Sequence, residues 1–318
     1  MSNSAARQIV LRLGVMALSL LIVAFVVFFA TEMLPGDIAQ VLLGQSATPQ
    51  AVAALRHEMH LDQPAFFRFL IWLGGLLTGH LGHSYANNMD IASLIGGRLE
   101  NSLKLAGITT VVSVPIALAL GITAALFRGS LYDRIVSMLT IFVISIPEFM
   151  VATLAVLVFA VHLGWLPALS FTYNVHGFFN LLKIYAMPVM TLGFVISAQM
   201  IRMTRAAVID TLNTSYCEMA LLKGASRRRV VLRHALPNAL GPIANAVALS
   251  LSYLLGGVII VETIFNYPGV AKLMVDAVST RDMPLIQTCS MIFALTYLVL
   301  IAIADVVAIL SNPRLRKR

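Results

Sequence analysis

The sequence predicts an all-α polytopic membrane protein with six transmembrane helices. A long outer loop is expected between the first two helices, and a cytoplasmic loop between the fourth and fifth. Of the 318 residues, 59% are hydrophobic and only 11% are charged, and the mean hydropathy is +0.89. Soluble domains typically contain about 25% charged residues, so this composition excludes a soluble globular protein.

Six apolar segments approach the ~20 residues that a helix needs to cross a bilayer. The first is predicted to remain as a span, because its apolar run is longer than that of a signal peptide and no A-x-A cleavage site follows. Pro147 and Glu148 interrupt the third segment, and the fourth is barely long enough. The segments are 13–31, 105–127, 135–160, 184–201, 238–261 and 284–305.

The basic residues predict the orientation of these spans. With the N-terminus inside, 15 of the 22 Lys and Arg residues fall in inner segments and 7 in outer segments. Cytoplasmic loops carry the excess of Lys and Arg, so both termini are predicted to be cytoplasmic. The net charge of +8 is explained by topology, and we expect no nucleic-acid partner. Cys217 and Cys289 are predicted to lie near opposite faces and cannot form a disulfide framework.

The spans divide the chain into four predicted parts. Residues 1–31 are the cytoplasmic N-terminus and first helix, 32–104 the external loop, 105–310 the transmembrane core of five helices with a cytoplasmic loop at 202–238, and 311–318 a basic tail. In the external loop, a helix is predicted from Pro49 to His60 with Thr48 as its N-cap. Residues 66–77 suit a helix in the membrane interface, with Trp72 at headgroup level.

The most informative stretch is the basic segment, residues 218–237 (EMALLKGASRRRVVLRHALP). It predicts two short helices broken at Gly224, which can adopt the left-handed conformation that ends a helix. Glu218 and Lys223 lie near the start and end of the first helix, where their charges complement the helix dipole. Ser226 can cap the second helix, and Pro237 marks the entry into the fifth span. Such a surface suits a soluble partner.

Two simpler explanations stand beside this interpretation. The basic segment could serve only to set topology, although its Gly and Leu-Pro spacing argues against that. Arg227, Arg228 and Arg229 could instead anchor to anionic lipid, which is worth about 1 kcal/mol per basic residue. Membrane lipid is therefore a second expected partner of this segment.

The basic segment resembles the EAA loop of binding-protein-dependent ABC importer permeases. Met219 and His234 depart from this pattern, which usually has Ala and Ile at these positions. A wider spacing is similar to the dipeptide/oligopeptide/nickel branch of the family. The residues that match one or both patterns are Tyr216, Glu218, Ala220, Lys223, Gly224, His234, Leu236, Pro237, Asn238 and Ala239.

Further motifs extend the resemblance over nearly the whole chain. His80 replaces the Asp that is usual in the branch, and Asn312 stands where Asp is more usual. The matching motifs are LPGD at 34–37, LDQP at 61–64, GHLGHSY at 79–85, SIP at 145–147, ETIF at 262–265, PG at 268–269, RDMP at 281–284, Asp305, and NPR at 312–314.

The resemblance implies a permease subunit of a bacterial inner membrane that lines half of a translocation path. It implies a second homologous permease, two cytoplasmic ATPases and a periplasmic or lipid-anchored binding protein as partners. The residues expected to couple to the ATPases are Glu218, Ala220, Lys223, Gly224, His234, Leu236 and Pro237. The chain contains no G-x-x-x-x-G-K-[ST] phosphate loop, so no enzymatic activity and no cofactor are expected in it. ATP and Mg would bind the partner ATPases.

Pro147 and Glu148 are the candidate residues of the path. A carboxylate within a span costs about 2.5–3.5 kcal/mol on insertion scales, so Glu148 should face protein or a water-filled path. The alternative is that a helix simply begins near Pro147. The pairs His57/His60 and His80/His83 suggest nickel or zinc, but polar interface histidines are the preferred explanation, and no metal site is predicted.

Function and substrate leave alternatives open. Di- or oligopeptides are the preferred substrates, and nickel, glutathione-like peptides, opines or glycosides are alternatives within the same transporter class. A secondary transporter would need paired ionisable groups near the midplane and often shows inverted repeats. Only Glu148 is a candidate for such a group, and no repeat is evident. A membrane-embedded enzyme would need a clustered nucleophile or metal set, which is not seen.

Overall fold

The computed structural model describes the backbone of residues 3–33, 36–171 and 177–311, and the side chains of 11–33, 36–171 and 177–303. Within those ranges the fold is helical and contains no β-strand, which confirms the predicted all-α class. Leu34, Pro35, the basic tail from residue 312 and the side chains of Arg7 and Asp305 lie outside the described residues.

The helices are α1 (Asn3–Glu32), α2 (Ile38–Leu43), α3 (Pro49–Glu58), α4 (Ala65–Thr78), α5 (Ile91–Leu126), α6 (Leu131–Ser145), α7 (Glu148–Ala155), α8 (Phe178–Leu212), α9 (Ser215–Leu222), α10 (Arg227–Val230), α11 (Leu236–Ile264), α12 (Val270–Thr280) and α13 (Met283–Ser311).

The long helices account for the predicted spans. In the described part of the chain, five helices are long and apolar enough to cross a membrane, and the bent pair α6–α7 makes a sixth span if it is counted as one. The predicted fourth span, 184–201, is the middle portion of the 35-residue α8. The hydropathy of the sequence underestimates the length of this helix, because its last turns carry the charged residues Arg202, Arg205 and Asp210. Charged residues are compatible with an α-helix but interrupt an apolar run.

The third span is broken at Pro147, where the sequence predicted an interruption. The residue before a proline is driven out of the helical region, and Ile146 is accordingly extended at φ −92° and ψ 126°. Helix α7 starts afresh at Glu148, and a π-helical turn, Val156–His162, follows it. The two halves are bent by 97°. The break therefore has a local covalent cause.

The chain divides into two compact units, which are described separately. The loop unit comprises Val10–Ser102 and Gly269–Thr296. The predicted helix after Thr48 is confirmed, because α3 begins at Pro49 and the Thr48 hydroxyl accepts a hydrogen bond from the Ala51 amide at 3.3 Å. The predicted apolar helix at 66–77 corresponds to α4. The ring centroids of Trp72 and Phe28 are 5.6 Å apart in an aromatic cluster. The location of Trp72 at the level of the lipid headgroups stays a prediction.

The core unit is built on Leu103–Pro268, with α8 at its centre. Helix α8 packs against α6, α7 and α11. Its backbone also approaches α5 closely at Gly121, where an added Cβ would lie 2.9 Å from the Ile201 carbonyl oxygen. A glycine at such a crossing lets two helices pack more tightly than side chains would allow, a pattern common in membrane proteins.

Gly121→Val is expected to force α5 and α8 apart and to lower stability by roughly 1–3 kcal/mol, the usual cost of overpacking. Thermal unfolding of the detergent-solubilised protein measures this loss. Gly107→Val is the matched control, since Gly107 lies on the same helix with no heavy atom within 4 Å of its added Cβ. Equal stability of the two variants would contradict the close packing at Gly121.

Candidate functional site

The basic segment begins inside α9, an eight-residue helix that follows the extended residue Thr214. Glu218 lies in its first turn, where the sequence placed it. Lys223 occupies the C-cap, so both charges complement the helix dipole. Both residues are exposed. Their side chains are therefore available to a molecule in solution.

A Schellman turn ends α9. Gly224 is left-handed at φ +84°, and its amide donates to the Leu221 carbonyl at 2.9 Å. The next amide, of Ala225, reaches back to the Ala220 carbonyl at 3.1 Å. These are the two bonds of that motif, and a residue with φ > 0 is required at the position of Gly224. The predicted helix end at Gly224 is confirmed.

The second predicted helix is not a separate short helix. Ser226 holds the N-cap position with extended backbone, but its side chain makes no capping bond. Helix α10 continues through a π-helical turn, Val231–Ala235, directly into α11. Pro237 lacks an amide and crowds the carbonyl four residues earlier, and a widened turn relieves both conflicts. The segment therefore joins the fifth span as one 38-residue helix, Arg227–Ile264.

A small apolar core holds the basic segment together. Cys217, Val230 and Ala235 are fully buried. Leu212, Ala220 and Ala225 pack around them. Sequence reasoning missed this core, although its apolar positions stand out within a stretch that is otherwise charged. Since Cys217 comes from α9 and the other two from the helix that continues into α11, the core clamps these helices to each other.

The outer face of α9 is apolar and exposed. Tyr216, Met219 and Leu222 follow one another at intervals of three residues and are 45%, 53% and 76% exposed. Side chains at that spacing share one side of a helix. Clustered exposed apolar side chains of this kind are typical of surfaces that contact another protein or the membrane. Of these three residues, only Tyr216 and Met219 stood out in the sequence, as a match and a departure in the motif.

The remaining predicted coupling residues differ in exposure. Gly224 and Pro237 are exposed, whereas Ala220, His234 and Leu236 are half-buried. The His234 carbonyl accepts a hydrogen bond from the Asn238 side chain at 2.7 Å, within the same helix. Leu236 packs into a cluster with Val231 and Ala239. The predicted coupling residues thus fall into two groups: exposed residues that a partner can contact, and partly buried residues that stabilise the conformation of the segment.

Asp133 and Arg205 form an ion pair between α6 and α8. The guanidinium donates to both carboxylate oxygens at 2.6 and 2.9 Å. The Gly129 amide donates to the same carboxylate at 2.9 Å. The Arg128 side chain also reaches the Asn213 amide oxygen at 3.3 Å, next to the start of α9. These bonds tie the α5–α6 turn to α8 and to the end of α8 from which the basic segment leaves.

Glu148 is the first residue of α7 and is half-buried. An added Cβ at Gly257 of α11 would lie 2.9 Å from the Glu148 Oε2 and 3.1 Å from Leu192 of α8. A side chain at position 257 would therefore displace the Glu148 carboxylate from its present position. The helix does begin at Glu148, and its side chain nevertheless lies between helices. Its predicted role in the path, with that of Pro147, stays a prediction.

Motifs of the external loop meet the motif at 281–284 inside the loop unit. Asp282 is buried and accepts hydrogen bonds from the Ser84 hydroxyl and, at 3.0 Å, from the Tyr85 amide. The Arg281 guanidinium fills the space beside Gly36, which has φ +108° and no Cβ. Burial raises the pKa of the Tyr85 phenol. Described residues of the motifs at 34–37, 79–85 and 281–284 therefore contact one another in the loop unit.

Two of the external histidines, His57 and His80, make ordinary polar contacts. His57 lies 3.5 Å from the Asp62 carboxylate, and His80 contacts the Thr78 hydroxyl at 3.1 Å. Across the described residues, no group of three or more His, Cys, Asp or Glu side chains is arranged to hold a metal ion.

Comparisons with known proteins agree with this architecture. Residues 117–317 match the family described as binding-protein-dependent transport system inner membrane component, and residues 5–106 match its N-terminal companion family. The chain is 36% identical over 298 residues to the glutathione transport system permease protein GsiC of Escherichia coli K12. It is 35% identical to that of Salmonella typhi. Each alignment covers 94% of this chain and 95% of the relative.

These matches extend over both units and over the basic segment. The relatives are membrane subunits of transporters rather than enzymes, and the family depends on partner ATPase and substrate-binding subunits. The protein is accordingly a multi-pass membrane protein. The chain belongs to the binding-protein-dependent transport system inner membrane component family, and is an ABC importer permease subunit of the dipeptide/oligopeptide/nickel branch.

Proposed function

We propose that this permease carries di- or oligopeptides across a bacterial inner membrane, with both termini in the cytoplasm. It pairs with a second homologous permease and receives its solute from a periplasmic or lipid-anchored binding protein. Two ATPases hold the ATP and Mg, and one of them docks on the basic segment of this chain. The observation that carries this proposal is the exposed apolar face of α9. This helix ends in a turn that requires a left-handed backbone conformation at Gly224.

The basic segment transmits motion because it is rigid at both ends. The buried core of Cys217, Val230 and Ala235 joins α9 to α10, and α10 runs on into α11. A displacement of α9 by an ATPase is therefore carried to the fifth span. The ATPase must bind this surface more tightly in one nucleotide state than in the other, since equal affinities would shift no equilibrium.

The peptide substrate is supported by the relatives. They are named as glutathione transport permeases, and glutathione is a peptide-like solute. Glu148 adds a carboxylate that could attract the ammonium group of a peptide. Nickel and opines are the alternatives within the branch, and a secondary transporter is the alternative in a different class.

Uptake by the complete transporter in proteoliposomes tests this function. The complex of both permeases, the ATPases and the binding protein should accumulate labelled di- and tripeptides only when ATP is enclosed on the ATPase side. Vanadate, which blocks ABC ATPases, should stop uptake. Accumulation of nickel but not of peptides would show that nickel is the substrate. Uptake that requires an ion gradient and is insensitive to vanadate would show that the protein is a secondary transporter.

A further inference from the structure

One face of α11 is exposed along most of the helix. The exposed positions Pro242, Asn245, Leu249, Tyr253 and Gly256, called the α11 stripe below, follow at intervals of three, four, four and three residues. This spacing matches the 3.6-residue period of an α-helix, so the five residues share one side. At 1.5 Å per residue the stripe is about 21 Å long. It therefore covers much of the depth of the hydrocarbon core.

The composition of the α11 stripe differs from that of another exposed helix face in the same unit. The exposed face of α6 in the same unit carries Ile135, Met138, Leu139 and Phe142, which are 47–70% exposed and wholly apolar. The α11 stripe has only one large aliphatic side chain, Leu249, and it exposes 67% of Tyr253. Two faces of such different chemistry are expected to meet different surroundings.

Asn245 makes a lipid environment costly for the α11 stripe. In hydrocarbon an amide without a partner costs several kcal/mol, and polar side chains in spans face a bundle interior or water. Within the described part of the chain, the side chains of Asn245 and Tyr253 make no hydrogen bond. They therefore need partners from outside this chain, which water, a polar solute or another subunit can supply.

A carboxylate lies at one end of the α11 stripe. Gly257, against which the Glu148 side chain packs, directly follows Gly256. Among the described residues, the Glu148 carboxylate has neither a hydrogen bond nor an ion-pair partner. Ionisable side chains within spans face the bundle interior or a water-filled cavity and mark the pathways of ions and substrates. The α11 stripe and the Glu148 carboxylate both favour an aqueous environment.

We propose that the α11 stripe is a wall of the water-filled translocation path, and that Glu148 pairs with the ammonium group of the solute at one end of it. The inference deepens the proposed function, on which it rests, by naming the chemistry that the path presents. The Asn245 amide and Tyr253 phenol offer hydrogen bonds that a peptide can exchange with water, while the carboxylate selects for a positive group.

Water access to the α11 stripe can be measured without knowing the solute. The native Cys217 and Cys289 are buried, so the wild-type chain is a quiet background for thiol labelling. Asn245→Cys and Tyr253→Cys are made in the assembled transporter, with Met138→Cys and Phe142→Cys on α6 as controls. A charged methanethiosulfonate reagent reacts with thiolates, which form only where water reaches the sulfur.

The two α11 variants are expected to react at least tenfold faster than the two α6 variants, in at least one nucleotide state. Equally slow labelling at all four positions would overturn the path assignment, because it would mean that the α11 stripe is covered by a partner helix or by lipid. This outcome is independent of which solute the transporter carries.

The role of Glu148 is tested by Glu148→Gln in proteoliposomes, with peptides that have a free or an acetylated N-terminus. The variant is expected to take up the peptide with a free N-terminus roughly five- to tenfold more slowly than the wild type, which corresponds to the loss of one modest ion pair. Its uptake of the acetylated peptide should change little. Equal effects on both peptides would overturn the pairing. Failure of the wild-type complex to carry any peptide would instead refute the proposed function, while the labelling result would still decide the path.

Discussion

Gly224→Val is expected to abolish solute uptake and solute-stimulated ATP hydrolysis while the protein still inserts into the membrane. Gly224 has φ +84° and closes the Schellman turn that ends α9. A side chain in this left-handed conformation costs roughly 1–2 kcal/mol, and a β-branched residue is a pronounced outlier there. The turn relaxes to another geometry, so the exposed face of α9 no longer meets an ATPase at the angle that drives α11.

Gly129→Val provides the matched control for this experiment. Gly129 has the same φ of +84°, and its added Cβ likewise meets no heavy atom within 4 Å. It lies in the α5–α6 turn, outside the basic segment. Valine there should impose similar strain yet leave uptake measurable. Solute-stimulated ATPase activity is recorded for both variants at equal membrane abundance, and normal stimulation in Gly224→Val would falsify the coupling role.

Glu218→Arg extends the test from backbone shape to surface charge. Glu218 is exposed in the first turn of α9 and makes no contribution to the buried core of the basic segment. Reversal of its charge should therefore uncouple transport without destabilising the protein. Similar losses in Glu218→Arg and Gly224→Val would support docking of an ATPase on α9.

Arg205→Ala is expected to destabilise the protein more than the overpacking of α5 against α8 does. It leaves Asp133, which is 5% exposed, without the guanidinium that neutralises it. Removal of one partner from a buried ion pair costs about 3–5 kcal/mol. The lower end of that range applies, because the Arg205 side chain remains 29% exposed to solvent screening. A lower thermal unfolding temperature in detergent and reduced membrane abundance are the expected readouts.

A double variant separates the buried charge from the packing. Asp133→Leu combined with Arg205→Met should recover part of the loss, since no uncompensated charge then remains. Asp276→Ala is the control, because its pair with Lys272 is exposed at the aspartate and spans one helical turn. Surface pairs of this kind contribute about 0–1 kcal/mol. A loss in Asp276→Ala as large as that in Arg205→Ala would contradict the argument from burial.

The features that the sequence predicted well are those with local causes. Gly224 ends α9 because left-handed backbone favours glycine, whatever surrounds it. Pro147 breaks the third span because a proline constrains the residue before it. Thr48 caps α3 through a bond that spans three residues. Each of these effects acts within one helical turn, so a short stretch of sequence contains all the information needed.

The features that were missed depend on distant residues. Hydropathy stopped the fourth span at residue 201, whereas α8 continues to Leu212. Its extension is stabilised in part by the pair of Arg205 with Asp133, 72 positions away. The second short helix predicted after Gly224 merges with α11 through the π-helical turn Val231–Ala235, and Val230 and Ala235 pack in one buried cluster with Cys217 of α9. Burial of these residues follows from tertiary packing rather than from local propensity.

The sequence by itself determined the membrane class, the positions of the spans, the turn at Gly224 and, through its motifs, the family. These follow from composition, from the length of apolar runs and from backbone preferences, which are local quantities. Only the tertiary structure decided which side of α9 stays exposed, and that Glu148 rests on Gly257 beside the α11 stripe. Exposure depends on which helices pack together, and that choice is made by contacts between residues far apart in the chain.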